Sequence, residues 1–409
     1  CSATGLRAYD GPASSLHRIE PDGVGAVGPA TVVDRDLLTL PDVTVSIDTD
    51  LTPMNVTDVV CVRVAGVVVE RTVSKRHRSK FPPLKVVIKE VRLIQEFLLV
   101  CSTKHDHRAD LDHLTGQKIR ETVLERGGQM GTTCMPGCVI ACCNVFVDPQ
   151  GKPVVSTLQY ETVGLLGSNL GIGNLDAVAR LNRLCNDYGL DSIEAGAALG
   201  VAADAGLARF GDEASFAALL GEIAAGSVLG RVLGQGAAVA GRVLGVSRVP
   251  ATKGQAMPAY DPRALKGNGV TYATSPMGAD HTAGNAFGNR LEVNPLGVEG
   301  QRELSLKLQL GAAMLDSTGL CLFARPPVFG DPQLMVDMIN GRFGWGWSVA
   351  DLQEMQKSVL RMELAFNHKA GHTAADARLP EYMTREPLPP HNVVFDVPDS
   401  EMDAIFSEL

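Results

Sequence analysis

Apolar residues recur at helical spacing through much of the chain. The clearest example is "NLDAVARLNRLCNDYG" (174–189), which a glycine ends. Four apolar residues share one face of the predicted helix: Leu175, Val178, Leu181 and Leu184. A second glycine-ended helix is predicted over 111–128, and Ser348 with Asp351 predicts the capped start of a long helix over 349–367.

Two other stretches do not follow this pattern. Residues 1–107 are valine-rich and irregular, and "DVVCVRVAGVVVER" has the β-branched content of strands. Residues 247–269 contain three prolines and three glycines, which indicates a domain boundary. The pattern therefore predicts an irregular or divergent, β-leaning segment over 1–107, and helical domains over 108–247 and 248–409.

Composition limits the classes of function. The 409 residues are 45% hydrophobic and 20% charged, which is typical of a globular protein of more than one domain. The net charge of −9 argues against a nucleic-acid binder that uses a basic surface. The basic run over 71–80 is more typical of solvated surface. No apolar run reaches the roughly 18–20 residues of a membrane helix, and nothing resembles a signal peptide, so the protein is expected to be cytoplasmic.

Cysteines are concentrated in one segment. Four of the nine lie in "GTTCMPGCVIACCNVFVD" (131–148), a distribution more typical of metal binding or redox chemistry than of a disulfide scaffold. Cys134, Cys138 and Cys142 have the spacing C-x3-C-x3-C. Three thiolates on a tight loop can hold three corners of a [4Fe–4S] cluster. A zinc site and simple packing cysteines are the alternatives, although zinc sites usually contain C-x2-C pairs.

Two short turns resemble each other. "DYGLD" (187–191) and "DSTGLC" (316–321) each contain an acid, then a glycine and a leucine. Glycine lets the backbone approach a flat ligand, and carboxylates accept hydrogen bonds from its donors. The alternative is a glycine-ended helix followed by a buried turn. Cys321 ends the second copy, so it would supply the fourth cluster ligand beside a second cofactor.

The cysteine spacing, the two turns and "DPRALKGNGVTYATSPMGADHTAGN" (261–285) together resemble the aldehyde:ferredoxin oxidoreductases. The resemblance extends from about residue 108 to the C-terminus. It implies a mainly α fold, with two helical domains facing a cofactor cleft. It also implies a tungsten or molybdenum bis-pterin and a [4Fe–4S] cluster. The implied partners are ferredoxin or another iron–sulfur electron carrier and a small aldehyde or carboxylic acid substrate, and a homodimer is compatible with it.

The resemblance also assigns residues. The implied cluster ligands are Cys134, Cys138, Cys142 and Cys321. The implied pterin-binding residues are Asp187, Gly189, Leu190, Asp191, Asp316, Gly319 and Leu320. Glu161 matches a glutamate that moves a proton near the metal, and His281 matches a histidine that hydrogen-bonds the carbonyl oxygen. Taken alone, they are typical of a surface or N-cap acid and a loop histidine. The remaining cysteines Cys61, Cys101, Cys143 and Cys185 are assigned to packing, and Cys1 to the start of the sequence.

One segment gives two contradictory signals. "LSLKLQL" (304–310) alternates as a strand does, whereas Leu304, Leu308, Ala312 and Leu315 fit one face of a helix. We predict a helix, as the resemblance implies.

Two features depart from the family. Its commoner cluster spacing is C-x2-C-x3-C, which makes Cys134 the weakest ligand assignment. The β-rich domain that cradles the pterins in the family is not recognisable in residues 1–107. We therefore expect this chain to bind the cluster but to hold pterin poorly. The competing functions are a cluster-only electron-transfer protein or inactive truncated remnant, and a zinc-stabilised helical interaction protein.

Overall fold

The computed structural model describes residues 45–46, 58–64, 67–73 and 113–409, except 135, 137, 139 and 408. The chain divides into two compact units, Cys1–Val87 and Ile88–Leu409. In the first unit, the described residues form an antiparallel sheet of β1 (Val45–Ser46), β2 (Asp58–Val64) and β3 (Val67–Val73). The predictions for Cys1, Cys101 and most of 71–80 lie outside the described residues. The division at residue 247 remains a prediction.

The second unit consists mainly of α-helices, which confirms the predicted fold class. In chain order they are α1 (Gly116–Glu125), α2 (Tyr160–Leu166), α3 (Leu175–Tyr188), α4 (Ser192–Asp204), α5 (Glu213–Ala225), α6 (Val228–Leu233), α7 (Ala237–Leu244), α8 (Lys266–Thr274), α9 (Gln301–Thr318), α10 (Arg325–Gly330), α11 (Pro332–Phe343), α12 (Val349–Lys369), α13 (Glu381–Arg385) and α14 (Asp399–Ala404). Within the part of the chain that the structure describes, none of the helices has the length and apolarity needed to cross a membrane.

Two small antiparallel sheets accompany these helices. β4 (Gln129–Thr132), β5 (Cys143–Val147) and β6 (Pro153–Val155) pair in chain order, and the cysteine-rich loop connects β4 to β5. β7 (Ala251–Thr252) and β8 (Gln255–Ala256) form a short hairpin. The first sheet leads into α2, and the hairpin leads into the segment before α8.

Several predicted helix boundaries are present in the structure. The Asn174 side chain caps the start of α3, and Gly189 ends this helix with a φ of 68°. Ser348 and Asp351 form the predicted capping box of α12. These side chains satisfy backbone groups that have no partner within the helix.

Residues 304–310 are helical and belong to α9, as predicted. Leu304 and Leu308 are buried on this helix, and so are the polar Ser305 and Gln309. Ser305 Oγ lies 2.7 Å from Thr271 Oγ1 on α8, and Gln309 Nε2 donates to Thr274 Oγ1. The strand-like alternation arises because two polar residues of α9, Ser305 and Gln309, are buried against α8, whereas the polar Lys307 between them is exposed.

Small residues allow α2 and α4 to pack closely. Residues 195–203 of α4 are all buried, and they are alanine, glycine, leucine and valine. A Cβ added at Gly196 would lie 2.7 Å from the Leu165 carbonyl oxygen. The close contact holds α2, which contains Glu161, against the core.

α8 is enclosed by protein, since all of its residues are buried. Its buried Lys266 pairs with Asp396 at 2.5 Å, and Asn268 Oδ1 accepts a hydrogen bond from the Ala286 amide. The enclosed helix fixes the start of the loop over 275–285, which contains His281.

Candidate active site

Glu161 lies in the first turn of α2 and is largely enclosed, with 15% of its side chain exposed. Its Oε2 accepts a hydrogen bond from the Ala259 amide at 2.7 Å. The neighbouring Tyr160 hydroxyl donates to the Ala259 carbonyl at 3.0 Å. Consecutive side chains of α2 therefore bind the backbone N–H and C=O of one residue in the segment before α8, and Glu161 is not a surface acid.

His281 lies opposite Glu161 on the loop after α8. Its Nε2 is 3.4 Å from Glu161 Oε1, and 17% of its side chain is exposed. Within the described residues, Glu161 Oε1 and His281 Nδ1 are buried and have no hydrogen-bond partner. Unpartnered buried polar atoms are uncommon, and they indicate a place where a ligand would bind.

Burial moves the two pKa values in opposite directions. Desolvation raises the pKa of Glu161 from 4.5 to about 8, and the Asp280 and Asp191 carboxylates add to this effect. Desolvation lowers the pKa of His281 from 6.5 to about 4, although Asp280 opposes the shift. Both side chains are therefore neutral near pH 7. A carboxyl whose pKa is about 8 can lose and regain a proton at small energetic cost near pH 7, whereas the imidazole stays neutral.

Aromatic side chains enclose this pair, and sequence reasoning missed them. The Tyr260 ring centroid lies 5.5 Å from that of His281 and 5.1 Å from that of Tyr160. Burial raises the pKa of both tyrosines, so both keep their protons. The sequence offers one signal for them: Tyr160 directly precedes Glu161, and Tyr260 directly follows Ala259.

Both turns have the same backbone geometry. In the first, the Gly189 amide donates to the Asn186 carbonyl and the Leu190 amide to the Cys185 carbonyl. In the second, the Gly319 amide donates to the Asp316 carbonyl and the Leu320 amide to the Leu315 carbonyl. Each is a Schellman cap whose glycine has positive φ. The space beside Gly189 and Gly319 is open in this structure.

The two turns place their acids at different positions. Asn186, and not Asp187, is the structural equivalent of Asp316. The Asp187 carboxylate lies one position later and accepts a hydrogen bond from Arg183 at 2.8 Å. Asp191 caps α4 by accepting from the Glu194 amide. In the sequence, the acid of "DYGLD" is one residue nearer the glycine than the acid of "DSTGLC" is, and the pterin-binding role of Asp187 stays a prediction.

The predicted cluster ligands are free and accessible. Cys134, Cys142 and Cys321 are exposed, and Cys138 is half-buried. Partial burial is the main cause that raises the pKa of Cys142, and the neighbouring Cys143 thiol adds to the effect. Among the described residues, no three His, Cys, Asp or Glu side chains are close enough to hold a metal ion. The four thiols suit a cluster by their chemistry, and binding would require them to converge. Cys185 is buried, as packing requires.

Comparison with known proteins identifies the family. The family model described as "Aldehyde ferredoxin oxidoreductase, domains 2 & 3" matches residues 98–408 of this 409-residue chain. The chain belongs to the aldehyde ferredoxin oxidoreductase family. The match includes the Glu161–His281 pair, both turns and the predicted cluster ligands.

Several curated relatives have the same family name. A "Tungsten-containing aldehyde ferredoxin oxidoreductase" of Thermococcus kodakarensis is 29% identical over 62% of this chain and 45% of the relative. One from Pyrococcus furiosus is 30% identical over 56% of this chain and 42% of the relative. An "Aliphatic sulfonate oxidoreductase, WOR-like subunit" of P. furiosus is 28% identical over 47% of this chain and 32% of the relative. The matched region spans less than half the length of each relative.

A solved structure shows a similar fold. It is the "Active site complex BamBC of Benzoyl Coenzyme A reductase in complex with 1,5 Dienoyl-CoA", with a TM-score of 0.53 and 14% identity. The similarity covers 71% of this chain and 51% of that chain. At this identity the similarity concerns the fold alone.

Proposed function

We propose that this chain forms the helical part of an oxidoreductase that converts small aldehydes to carboxylic acids, using a tungsten or molybdenum bis-pterin and a [4Fe–4S] cluster. In the balanced reaction, one aldehyde and one water give a carboxylic acid, two protons and two electrons. When bound, the metal–pterin group supplies the two-electron oxidation, and the cluster transfers electrons to ferredoxin. The Glu161–His281 pair is the observation that supports this proposal.

Glu161 would transfer protons. Its carboxyl is neutral near pH 7 because it is buried, yet its Oε1 has no hydrogen-bond partner in the described region. The ionised form can take a proton from water or from a hydrated aldehyde, and the neutral form can return one. The Ala259 amide steadies Oε2, so Oε1 remains for this exchange.

His281 would orient the aldehyde. Its Nε2 faces Glu161, and its Nδ1 has no hydrogen-bond partner in the described region. A neutral imidazole has one N–H, and placing that proton on Nδ1 lets it donate to the carbonyl oxygen. Tyr260 packs beside the ring and limits its rotation.

The cofactor-binding residues follow from the two turns and the thiols. Asn186, Gly189, Leu190 and Asp191 would contact one pterin, and Asp316, Gly319 and Leu320 the other. The four cysteines Cys134, Cys138, Cys142 and Cys321 would hold the cluster. The open space beside both glycines supports the first assignment, and the accessibility of the free thiols supports the second.

Metal analysis of the native protein, purified anaerobically from its source cells, tests the proposal. Where the pterin-cradling domain is also supplied, we expect iron together with tungsten or molybdenum, and aldehyde-dependent reduction of a viologen dye. Glu161→Gln should lower turnover by about 10²–10⁴-fold with the metal content unchanged. Glu222→Gln, at an exposed carboxyl on α5, is the matched control. Iron alone would favour a cluster-only electron-transfer protein, and zinc alone an interaction protein.

A further inference from the structure

The hairpin turn between β7 and β8 places a lysine where glycine or asparagine is usual. Thr252 pairs with Gln255, so Lys253 and Gly254 form a two-residue turn. Lys253 has a φ of 51° and Gly254 a φ of 81°, the left-handed values of a type I′ turn. A lysine in this region costs free energy. Backbone strain of this kind is often found where a side chain has a task, so the contacts of Lys253 are informative.

The Lys253 side chain binds a backbone carbonyl in place of a carboxylate. Its Nζ donates a hydrogen bond to the Ser275 carbonyl at 2.7 Å. Among the described residues, the ammonium forms no ion pair. Burial lowers the pKa of Lys253 to about 8, although the Asp376 carboxylate opposes the shift. The ammonium is therefore mostly charged near pH 7, and its hydrogen bond to Ser275 is of the strong, charge-assisted kind.

The Ser275 carbonyl begins the loop that contains His281. Ser275 caps the end of α8 and is 1% exposed. Its carbonyl also accepts a hydrogen bond from the Gly278 amide at 3.0 Å, which closes a turn over 275–278. Lys253 therefore binds the oxygen that closes this turn, and the chain continues from the turn to His281.

Two further contacts hold the same turn. A Cβ added at Gly278 would lie 2.6 Å from Gln255 Oε1 on β8, so the turn and the hairpin pack closely. Asn367 Nδ2 of α12 donates to the Pro276 carbonyl at 2.8 Å. The hairpin and α12 therefore both bind the start of the loop, and Lys253 contributes a charged donor to it.

The far end of the loop is held by α8 itself. Thr271 Oγ1 donates to the Gly284 carbonyl at 3.1 Å. His281 lies between the two held ends, and its Nε2 is 3.4 Å from Glu161 Oε1. The position of the imidazole opposite Glu161 therefore depends on how both ends of the loop are held.

We propose that Lys253 is a positioning residue for His281: by binding the Ser275 carbonyl, it fixes the start of the 275–285 loop so that the imidazole faces Glu161. No hydrogen bond joins Lys253 to His281 within the described part of the chain, so Lys253 acts through the loop. The catalytic meaning of this role rests on the proposed function, whereas the position of the imidazole can be measured without any cofactor.

Two substitutions separate this role from a role in the hairpin itself. Lys253→Asn introduces a residue that suits the type I′ turn, so the hairpin should remain at least as stable. The asparagine side chain is too short to replace the hydrogen bond to Ser275. Lys253→Met keeps an unbranched side chain of similar length but removes the ammonium. Lys307→Met, at an exposed position on α9, is the matched control.

Amide hydrogen exchange of the cofactor-free chain measures the loop. We expect the amides over 276–284 to exchange about tenfold faster or more in both Lys253 variants, because hydrogen bonds to charged groups are the stronger ones. Exchange in α3 should stay unchanged, and so should exchange of the loop in Lys307→Met. Circular dichroism checks that each variant is folded.

Nitrogen-15 NMR titration of the same chain measures the imidazole. Burial lowers the pKa of His281 to about 4, and this pKa should rise towards 6.5 in both Lys253 variants, because a loosened loop lets water reach the ring. Glu161 and Asp280, the acids beside the imidazole, are present in every variant, so the shift reports the position of the ring.

The inference is overturned if either Lys253 variant leaves the loop exchange or the pKa of His281 unchanged, or if Lys307→Met changes them equally. An inactive wild-type holoenzyme would contradict the proposed function, and it would leave both of these measurements unaffected.

Discussion

At the scale of single residues, the chemistry depends on burial more than on residue type. Glu161 and His281 are ordinary titratable side chains, but each loses water on folding. Because desolvation disfavours the charged form, the acid becomes harder to ionise and the base harder to protonate. The result is a neutral pair near pH 7 in which each partner keeps one atom without a hydrogen bond in the described region.

Glu161→Gln should stabilise the cofactor-free chain increasingly as the pH rises. In the unfolded chain the carboxyl ionises near 4.5, whereas in the folded chain it holds its proton up to about 8. The wild type therefore loses stability relative to the variant between these values, at about 1 kcal/mol per pH unit. Urea unfolding at pH 5 and pH 8 measures the difference. A constant difference, or one matched by Glu222→Gln, would contradict the assignment.

At the scale of elements, the two glycine turns are repeated structures. Both end a helix with the same pair of backbone hydrogen bonds and a glycine at positive φ. This geometry is common for a glycine-ended helix, so the cap by itself does not identify a ligand site. The acids of the two turns differ in their surroundings. Asp316 lines a cavity of about 260 Å³ beside α9 and α12, whereas Asp187 accepts a hydrogen bond from Arg183.

The same substitution should have opposite effects on two neighbouring helices. Gly196→Ala on α4 should lower the free energy of unfolding by about 1–3 kcal/mol, because the new Cβ would overlap Leu165. Gly221→Ala on α5 has open space and should raise it by about 0.5–1 kcal/mol, since alanine favours the helix. Thermal and urea unfolding measure both. Equal effects would show that α2 and α4 do not pack this closely.

At the scale of the whole molecule, the proposed cluster joins distant parts of the chain. Cys134, Cys138 and Cys142 belong to the loop between β4 and β5, whereas Cys321 follows α9. A cluster bound by all four cysteines would cross-link these elements. The four thiols come together only in the folded chain, so cluster binding would stabilise the fold.

Cys321→Ser should therefore reduce the cluster content of anaerobically reconstituted protein. We expect about four irons per wild-type chain, as a [4Fe–4S] cluster requires, and clearly fewer in the variant. Cys185→Ser is the control, because this thiol is buried in the core and is not a proposed ligand. Iron analysis and electron paramagnetic resonance of the reduced protein give the readout. Unchanged iron content in Cys321→Ser would remove this residue from the ligand set.

The sequence alone determined the helices and their ends. The apolar spacing of α3, its closing glycine and the capping box of α12 are local, because a side chain three or four residues away satisfies the backbone. Motif order also predicted the family. Local patterns were ambiguous at the first turn, where Asn186 is the backbone equivalent of Asp316 and the adjacent Asp187 is paired with Arg183.

Only the tertiary structure decided which side chains share an environment. Ala259 is far from Glu161 in sequence, yet its amide holds that carboxylate, and Tyr260 packs on His281. Glu363 meets Asp316 across two helices. Periodicity reports which face of an element is buried, but not which elements meet. The shifted pKa values, the buried atoms without partners and the cavity beside α9 and α12 arise from contacts between distant segments, and they therefore depend on the fold.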